Sequence, residues 1–216
     1  LIPISAKNNL GISELKEDLF NTLPSSLQLE SADTFVKIAL VGRPNVGKSS
    51  LINKIVGDKR LLTDVSPGTT RDAIDTTFIY NEQNYLLIDT AGIRRKSKVS
   101  INFEKYCIIE ALKSLDRCDI GILLIDVIEG VTQQDAKIAH FIYTKGKVCI
   151  IAVNKWDLIE KDNTTHKNYL EKIRYQLKFL DFAPVIFISA LTGQRAFTIL
   201  ESAATIFKQT QERIQT

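Results

Sequence analysis

The stretch Val36-Lys-Ile-Ala-Leu-Val-Gly-Arg-Pro-Asn-Val-Gly-Lys-Ser-Ser-Leu-Ile-Asn-Lys-Ile-Val56 decides the fold of this 216-residue chain. An apolar run at Val36–Val41 enters a Gly-containing loop, and a helix is expected over residues 47–56. That strand, loop and helix order is the context in which G-x-x-x-x-G-K-[ST] carries physical meaning, and residues 42–49 match it. Gly42 and Gly47 have no Cβ, so backbone N–H groups can close around phosphates while the helix N-terminus adds a favourable dipole. The expected cradle comprises Gly42, Asn45, Val46, Gly47, Lys48, Ser49 and Ser50. Lys48 should reach the β- and γ-phosphates, and Ser49 should offer its hydroxyl to Mg²⁺, a hard cation that prefers oxygen.

Working outward, short apolar runs alternate with helical patterns, as in βα units around a sheet buried on both faces. Further strands are expected at residues 74–80 and 85–89, joined as an antiparallel hairpin by the Asn81-Glu-Gln-Asn84 turn. Others are expected at 119–125, 147–153 and 184–188, with helices over 132–144, 164–180 and 196–212. The fold class is α/β, a three-layer P-loop nucleotide-binding architecture with six strands, one of them antiparallel. The first thirty residues stand apart. Ile4-Ser-Ala6 followed by Gly11 resembles Ile188-Ser-Ala190 followed by Gly193. Leu10, Leu15, Leu19 and Leu23 share one helix face, and a polar stretch with Pro24 reads as a linker. The expected organisation is a tail of a preceding domain plus linker at 1–34, the nucleotide domain at 35–212, and the threshold of a further domain at 213–216.

Composition excludes little but narrows the class. Hydrophobic residues make up 44% and charged residues 25%, the ordinary globular mix, and a net charge of +3 does not by itself indicate nucleic acid. Cys107, Cys118 and Cys149 are odd in number and widely spaced, and are expected to be buried apolar residues in a reducing, cytoplasmic setting. No apolar run approaches the ~18 residues needed to cross a bilayer, so no membrane partner is expected. The chain starts at Leu1 without a leader, which suggests a piece of something longer.

Four further motifs place the rest of the chemistry. Asp89-Thr-Ala-Gly92 ends an apolar strand, where Asp89 can hold Mg²⁺ through water and the Gly92 N–H can sense a γ-phosphate. Pro67-Gly-Thr-Thr-Arg-Asp72 is a loop whose threonine, Thr70 rather than Thr69, can close over the metal. Asn154-Lys-Trp-Asp157 follows a strand. Asp157 can accept from both the N1 and N2 donors of guanine, a pair that adenine lacks, so an unpaired buried carboxylate would reject adenine. Lys155 is expected to lay its stem along the base. Ser189-Ala-Leu191, after the last strand, would supply a backbone N–H to guanine O6.

These motifs, in this order, resemble the Ras-like P-loop GTPases over residues 36–212, and within them the bacterial TrmE-Era-EngA group. Asp89-Thr-Ala-Gly-Ile-Arg-Arg-Lys-Ser-Lys-Val99, Phe103-Glu-Lys-Tyr106 and Glu129-Gly-Val-Thr-Gln-Gln-Asp135 resemble the second G domain of the Der (EngA) family of tandem GTPases. The resemblance implies GTP and GDP as ligands, Mg²⁺-dependent hydrolysis of GTP, and a neighbouring G domain and KH-like domain. It also implies a role in maturation of the large ribosomal subunit, with that subunit and its rRNA as partners of the whole protein.

Ile93 stands where Ras-like enzymes carry the water-orienting Gln, and a hydrocarbon cannot serve. Asn45 resembles the K⁺-coordinating asparagine of the group, which implies K⁺ stimulation acting electrostatically on the phosphates. Lys48, Asn45, Thr70 and Gly92 are therefore the expected catalytic set, and Ser49, Thr70 and Asp89 the metal set. Arg94, Arg95, Lys96 and Lys98 form a basic cluster that could present itself to rRNA according to nucleotide state. His140, His166 and Trp156 read as structural, and Asp126 has no motif partner. The alternative function is a nucleotide-gated rRNA or ribosome binding module with incidental hydrolysis. An ATP-using enzyme is disfavoured by residues 154–157.

Overall fold

Strand β4, Ile120–Asp126, is the seven-residue run IGILLID, buried at every position. A continuous rather than alternating apolar run belongs in the centre of a parallel sheet covered on both faces, and that is where it sits. The computed structural model describes residues 35–57, 75–90 and 103–211, all within the unit Phe35–Thr216. The expectations for residues 1–34, for the loop 67–72, for residues 91–99 and for 213–216 lie outside the described residues.

The elements are β1 (Val36–Val41), α1 (Lys48–Val56), β2 (Thr76–Tyr80), β3 (Gln83–Ile88), α2 (Phe103–Arg117) and β4. They continue with α3 (Gln133–Thr144), β5 (Val148–Asn154), α4 (Thr165–Gln176), β6 (Val185–Phe187) and α5 (Thr198–Gln211). Short 3₁₀ turns follow β5 at Trp156–Leu158 and α4 at Lys178–Leu180. The sheet order is β2-β3-β1-β4-β5-β6, and β2 is its antiparallel member. After β1 the chain builds one side of the sheet through β3 and then crosses to build the other from β4. The reversal between β1 and β4 is a switch point of the kind at which α/β sheets bind ligands beyond the carboxyl ends of their strands, and residues 42–47 follow β1 there.

Alternate residues divide the core. Ile120, Ile122 and Leu124 pack with Leu51, Ile52 and Ile55 of α1 and Ile199, Leu200 and Ala203 of α5. Leu123 and Ile125 pack on the other face with Leu115 of α2, Ile138 and Ile142 of α3 and Ile173 of α4. Each such side chain contributes about 1.5–3 kcal/mol on burial, so the sheet is a rigid platform for the loops at its edge.

Four expectations need correction. The hairpin turn is two residues, Asn81 and Glu82, with φ 49° and 61°, and Tyr80 pairs directly with Gln83. Positive φ at both central positions gives the twist of a tight hairpin, so β3 begins at Gln83, not Tyr85. Helix α2 was not anticipated at all, although Ala111, Ser114, Leu115 and Cys118 are buried at helical spacing. The helix expected over 164–180 ends at Gln176, because Leu177 leaves helical geometry at φ −117° and ψ 48°. The last helix begins at Thr198 rather than 196. Cys118 and Cys149 are buried free thiols as expected, pushed up by burial to about 11 and about 12 and so unreactive. The side chain of Cys107 is outside the described set.

Candidate functional site

The loop after β1 is built around two backbone positions that side chains cannot share. Gly42 has φ 145°, and a Cβ there would lie 2.5 Å from the Leu124 carbonyl oxygen. Gly47 has φ 102°, and its Cβ would run into the side-chain amide of Asn154. Gly47 is also the N-cap of α1, which has no side-chain cap and no acidic residue in its first turn. First-turn amides have no intrahelical acceptor, and the helix dipole favours an anion beside them. The fit to a phosphate is therefore structural as well as a matter of sequence.

Lys48 is 9% exposed, and its Nζ donates to the carbonyls of Gly42 at 2.5 Å and Arg43 at 2.6 Å. The ammonium is thus already held over the loop. Asn45 adopts φ 63° and is exposed. Val46 buries its side chain in the core, so only its main chain serves the loop. Ser49 is half-buried and Ser50 exposed on the first turn of α1.

Asp89 directly follows β3, level with the end of β1 because Ile88 pairs with Ala39. Its N–H donates to Asp75 Oδ1 at 2.9 Å, and its Oδ2 accepts from Ser114 Oγ at 3.4 Å. Ser49 and Asp89 offer only hard oxygen donors, which suits Mg²⁺. Among the described residues no group of three or more His, Cys, Asp or Glu could hold a metal ion alone. Thr70 and Gly92 lie outside the described residues.

The base side is organised by Asn154, 2% exposed at the end of β5. Its Nδ2 donates to the Val46 carbonyl at 2.8 Å, and its Oδ1 accepts the Ala190 N–H at 2.8 Å. One side chain therefore ties the phosphate loop to the segment after β6. The Ala190 amide, a candidate donor to guanine O6, is engaged by Asn154. Ser189 is buried, and Leu191 is 80% exposed. Lys155 adopts φ 66° and pairs through Nζ with the buried carboxylate of Asp126. Asp126 also accepts the Ile128 N–H at 2.9 Å. Sequence reasoning noted Asp126 but found it no motif partner. Its signal was a carboxylate ending an otherwise apolar buried strand, which is tolerated only when paired.

Asp157 sits in the 3₁₀ turn after β5, anchored by Trp156, whose N–H donates to the Ile188 carbonyl at 3.0 Å. Trp156 packs on Phe187 with ring centroids 4.4 Å apart, the structural role expected of it. The Asp157 Oδ1 is shielded from solvent and has no hydrogen-bond partner. A buried carboxylate oxygen without a donor costs about 1–3 kcal/mol, a deficit that a ligand N–H donor would remove.

Residues 37–155 match the family described as 50S ribosome-binding GTPase. The chain belongs to that family. It is 51% identical over its whole length to a GTPase Der from Caldanaerobacter subterraneus subsp. tengcongensis, of which it covers 49%. The chain spans about half the length of the curated relatives it matches. Among solved structures, an Era from Aquifex aeolicus bound to GDP·AlF₄⁻ is 33% identical with a TM-score of 0.56, matching 80% of this chain and 56% of that one. Era in complex with MgGDPNP and a segment of 16S ribosomal RNA is likewise 33% identical, with a TM-score of 0.57, matching 81% and 56% of the two chains. Both family membership and fold place this chain among the P-loop GTPases, as the motif order implied. No helix among the described residues is long and apolar enough to cross a membrane.

Proposed function

We propose that the chain binds guanine nucleotides with Mg²⁺ and hydrolyses GTP to GDP and phosphate. The observation that carries this is the orphaned, buried Oδ1 of Asp157, set in a site whose other side is an uncapped helix N-terminus holding a buried lysine. One end accepts paired N–H donors and the other attracts a polyanion; a guanosine polyphosphate has both. Lys48 exchanges the carbonyls of Gly42 and Arg43 for phosphate oxygens, and Ser49, Asp89 and Thr70 hold Mg²⁺. The metal supplies charge neutralisation on the β- and γ-phosphates. Ser189, Ala190 and Leu191 close the base pocket, and Gly92 senses the γ-phosphate. Ile93 offers no water-orienting group, so Asn45, exposed in the loop, is assigned to a K⁺ that stimulates turnover.

In the whole protein this chain is the second G domain of a cytoplasmic tandem GTPase, with a further G domain before it and a KH-like domain after it. That protein acts in large ribosomal subunit biogenesis, with rRNA as partner. The family description and the rRNA-bound Era relative support this assignment, as does coverage of half of each Der relative. The deciding experiment is binding and hydrolysis of GTP against ATP in Mg²⁺. A guanine preference of at least 100-fold is expected, on the order of 3 kcal/mol. Equal affinity for the two nucleotides would remove the proposal. For the wider role, co-sedimentation of the full-length protein with 50S subunits should depend on the nucleotide supplied.

A further inference from the structure

Arg43 lies inside the phosphate loop, yet its guanidinium is engaged elsewhere. Nε donates to Asp135 Oδ2 at 2.9 Å, and Nη1 donates to Glu129 Oε2 at 2.5 Å. Both acids belong to the segment from β4 into α3. Asp135 is fully buried, and the same Oδ2 accepts the N–H and hydroxyl of Thr132 at 3.0 and 2.8 Å, closing the capping box that starts α3. The acceptor is therefore fixed to a helix end rather than to a swinging side chain.

The arrangement is poorly explained as a source of stability. Burial alone would lower the Arg43 pKa; Glu129 and Asp135 outweigh it and hold the group above its usual value. A buried ion pair gains little net stability, because desolvation offsets the attraction. Here Arg43 Nη2, Gln134 Nε2 and Asp135 Oδ1 are also buried without hydrogen-bond partners, which makes the cluster still less favourable. What it does achieve is orientation. The Arg43 carbonyl accepts Lys48 Nζ at 2.6 Å, so one residue is held by α3 through its side chain and holds Lys48 through its main chain.

Building on the nucleotide-binding role proposed above, we propose that Arg43, Glu129 and Asp135 form a brace that sets the phosphate loop against α3 and so positions the groups that bind the β-phosphate. These are positioning residues. They contact the phosphate loop and not the base, and their effect grows with the number of phosphates on the ligand. This gives the run Glu129-Gly-Val-Thr-Gln-Gln-Asp135 a task in the domain beyond family resemblance.

The test measures dissociation constants of GMP and GDP for the 216-residue chain in Mg²⁺, with their ratio reporting the β-phosphate contribution. Asp135→Asn keeps the side-chain size and an oxygen for Thr132 while removing the charge. GDP affinity should fall about tenfold and GMP affinity far less, narrowing the ratio. Glu129→Gln, at the exposed partner, should narrow it about two- to threefold. Arg43→Lys keeps the charge but not the fork, and should behave like Asp135→Asn. If Asp135→Asn does not fold, the other two variants decide. An unchanged ratio in the folded variants, including equal weakening of both ligands, would overturn the brace. A parent chain that failed to distinguish GDP from ADP would instead sink the nucleotide-binding role itself.

Discussion

Replacing Gly47 by Ala should separate the phosphate loop from the base-binding loops. The new Cβ would lie well inside the 3.0 Å that Cβ atoms keep from any neighbour, against the side-chain amide of Asn154, at a backbone φ of 102°. Holding an alanine in that conformation costs about 1–3 kcal/mol. Relief requires moving the Asn154 amide, which breaks its bonds to Val46 and Ala190, both 2.8 Å and both buried. Each buried partner left unsatisfied costs about 1–3 kcal/mol. The sum, about 3–9 kcal/mol, rivals the whole stability of a domain this size. Gly146→Ala is the matched control: its φ is also positive, at 62°, but an added Cβ meets nothing within 4 Å. Urea unfolding and GDP titration of both variants give the answer. Gly47→Ala should lose at least about 2 kcal/mol more than Gly146→Ala, and more than about 100-fold in GDP affinity. If the two variants unfold alike and bind GDP alike, Asn154 is not the tie described above.

Three further outcomes are expected. Asp157→Asn presents one acceptor and one donor where guanine requires two acceptors, so competition binding should shift preference from GTP towards xanthosine triphosphate by about 5- to 150-fold, the range set by one orphaned buried group. Turnover of GTP should be faster in KCl than in NaCl at equal ionic strength, and Asn45→Ala should erase the difference; equal rates in the parent would remove the K⁺ assignment. Asp162 Oδ1 accepts the N–H groups of Thr164 and Thr165 and both hydroxyls, bonds that lower its pKa to about 2, led by that from the Thr165 hydroxyl. A carboxylate with a depressed folded pKa contributes above its unfolded value and loses that contribution as pH falls through the folded one. Protection of the Thr165 amide, its exchange rate compared with the intrinsic rate at the same pH, should therefore fall between about pH 4 and pH 2, and a flat profile would count against the turn.

The strands were legible because burial on both faces leaves a continuous apolar run, as in Ile120–Asp126, and the motifs were legible because they constrain local backbone. Gly42, Gly47 and the residues between them must occupy fixed positions whatever surrounds them. Helix α2 was harder to see because its described buried positions, Ala111, Ser114 and Leu115, are small and polar as well as apolar rather than a stripe of leucines. The hairpin turn was hidden for a different reason. Positive φ is held at Glu82, a residue with no preference for it, so the strand pairing imposes the turn that local chemistry did not advertise.

What sequence spacing could not supply is the set of contacts that cross the fold. Arg43 meets Asp135 across 92 positions, and Lys155 meets Asp126 across neighbouring strands. Neither pairing has a periodicity to read. The structure nevertheless marks their region physically. Among the described residues, the buried side-chain polar atoms without partners are Arg43 Nη2, Gln134 Nε2, Asp135 Oδ1 and Asp157 Oδ1, and none belongs to either apolar core cluster. Arg43 and Asp135 meet where the phosphate loop faces α3, Gln134 is the neighbour of Asp135 in α3, and the fourth is the carboxylate assigned to guanine. Cores remove unsatisfied polar groups because each one costs stability. All four belong to segments that follow strand ends, the edge of the sheet to which nucleotide binding is assigned above, where a residue can be chosen for function at a cost in stability.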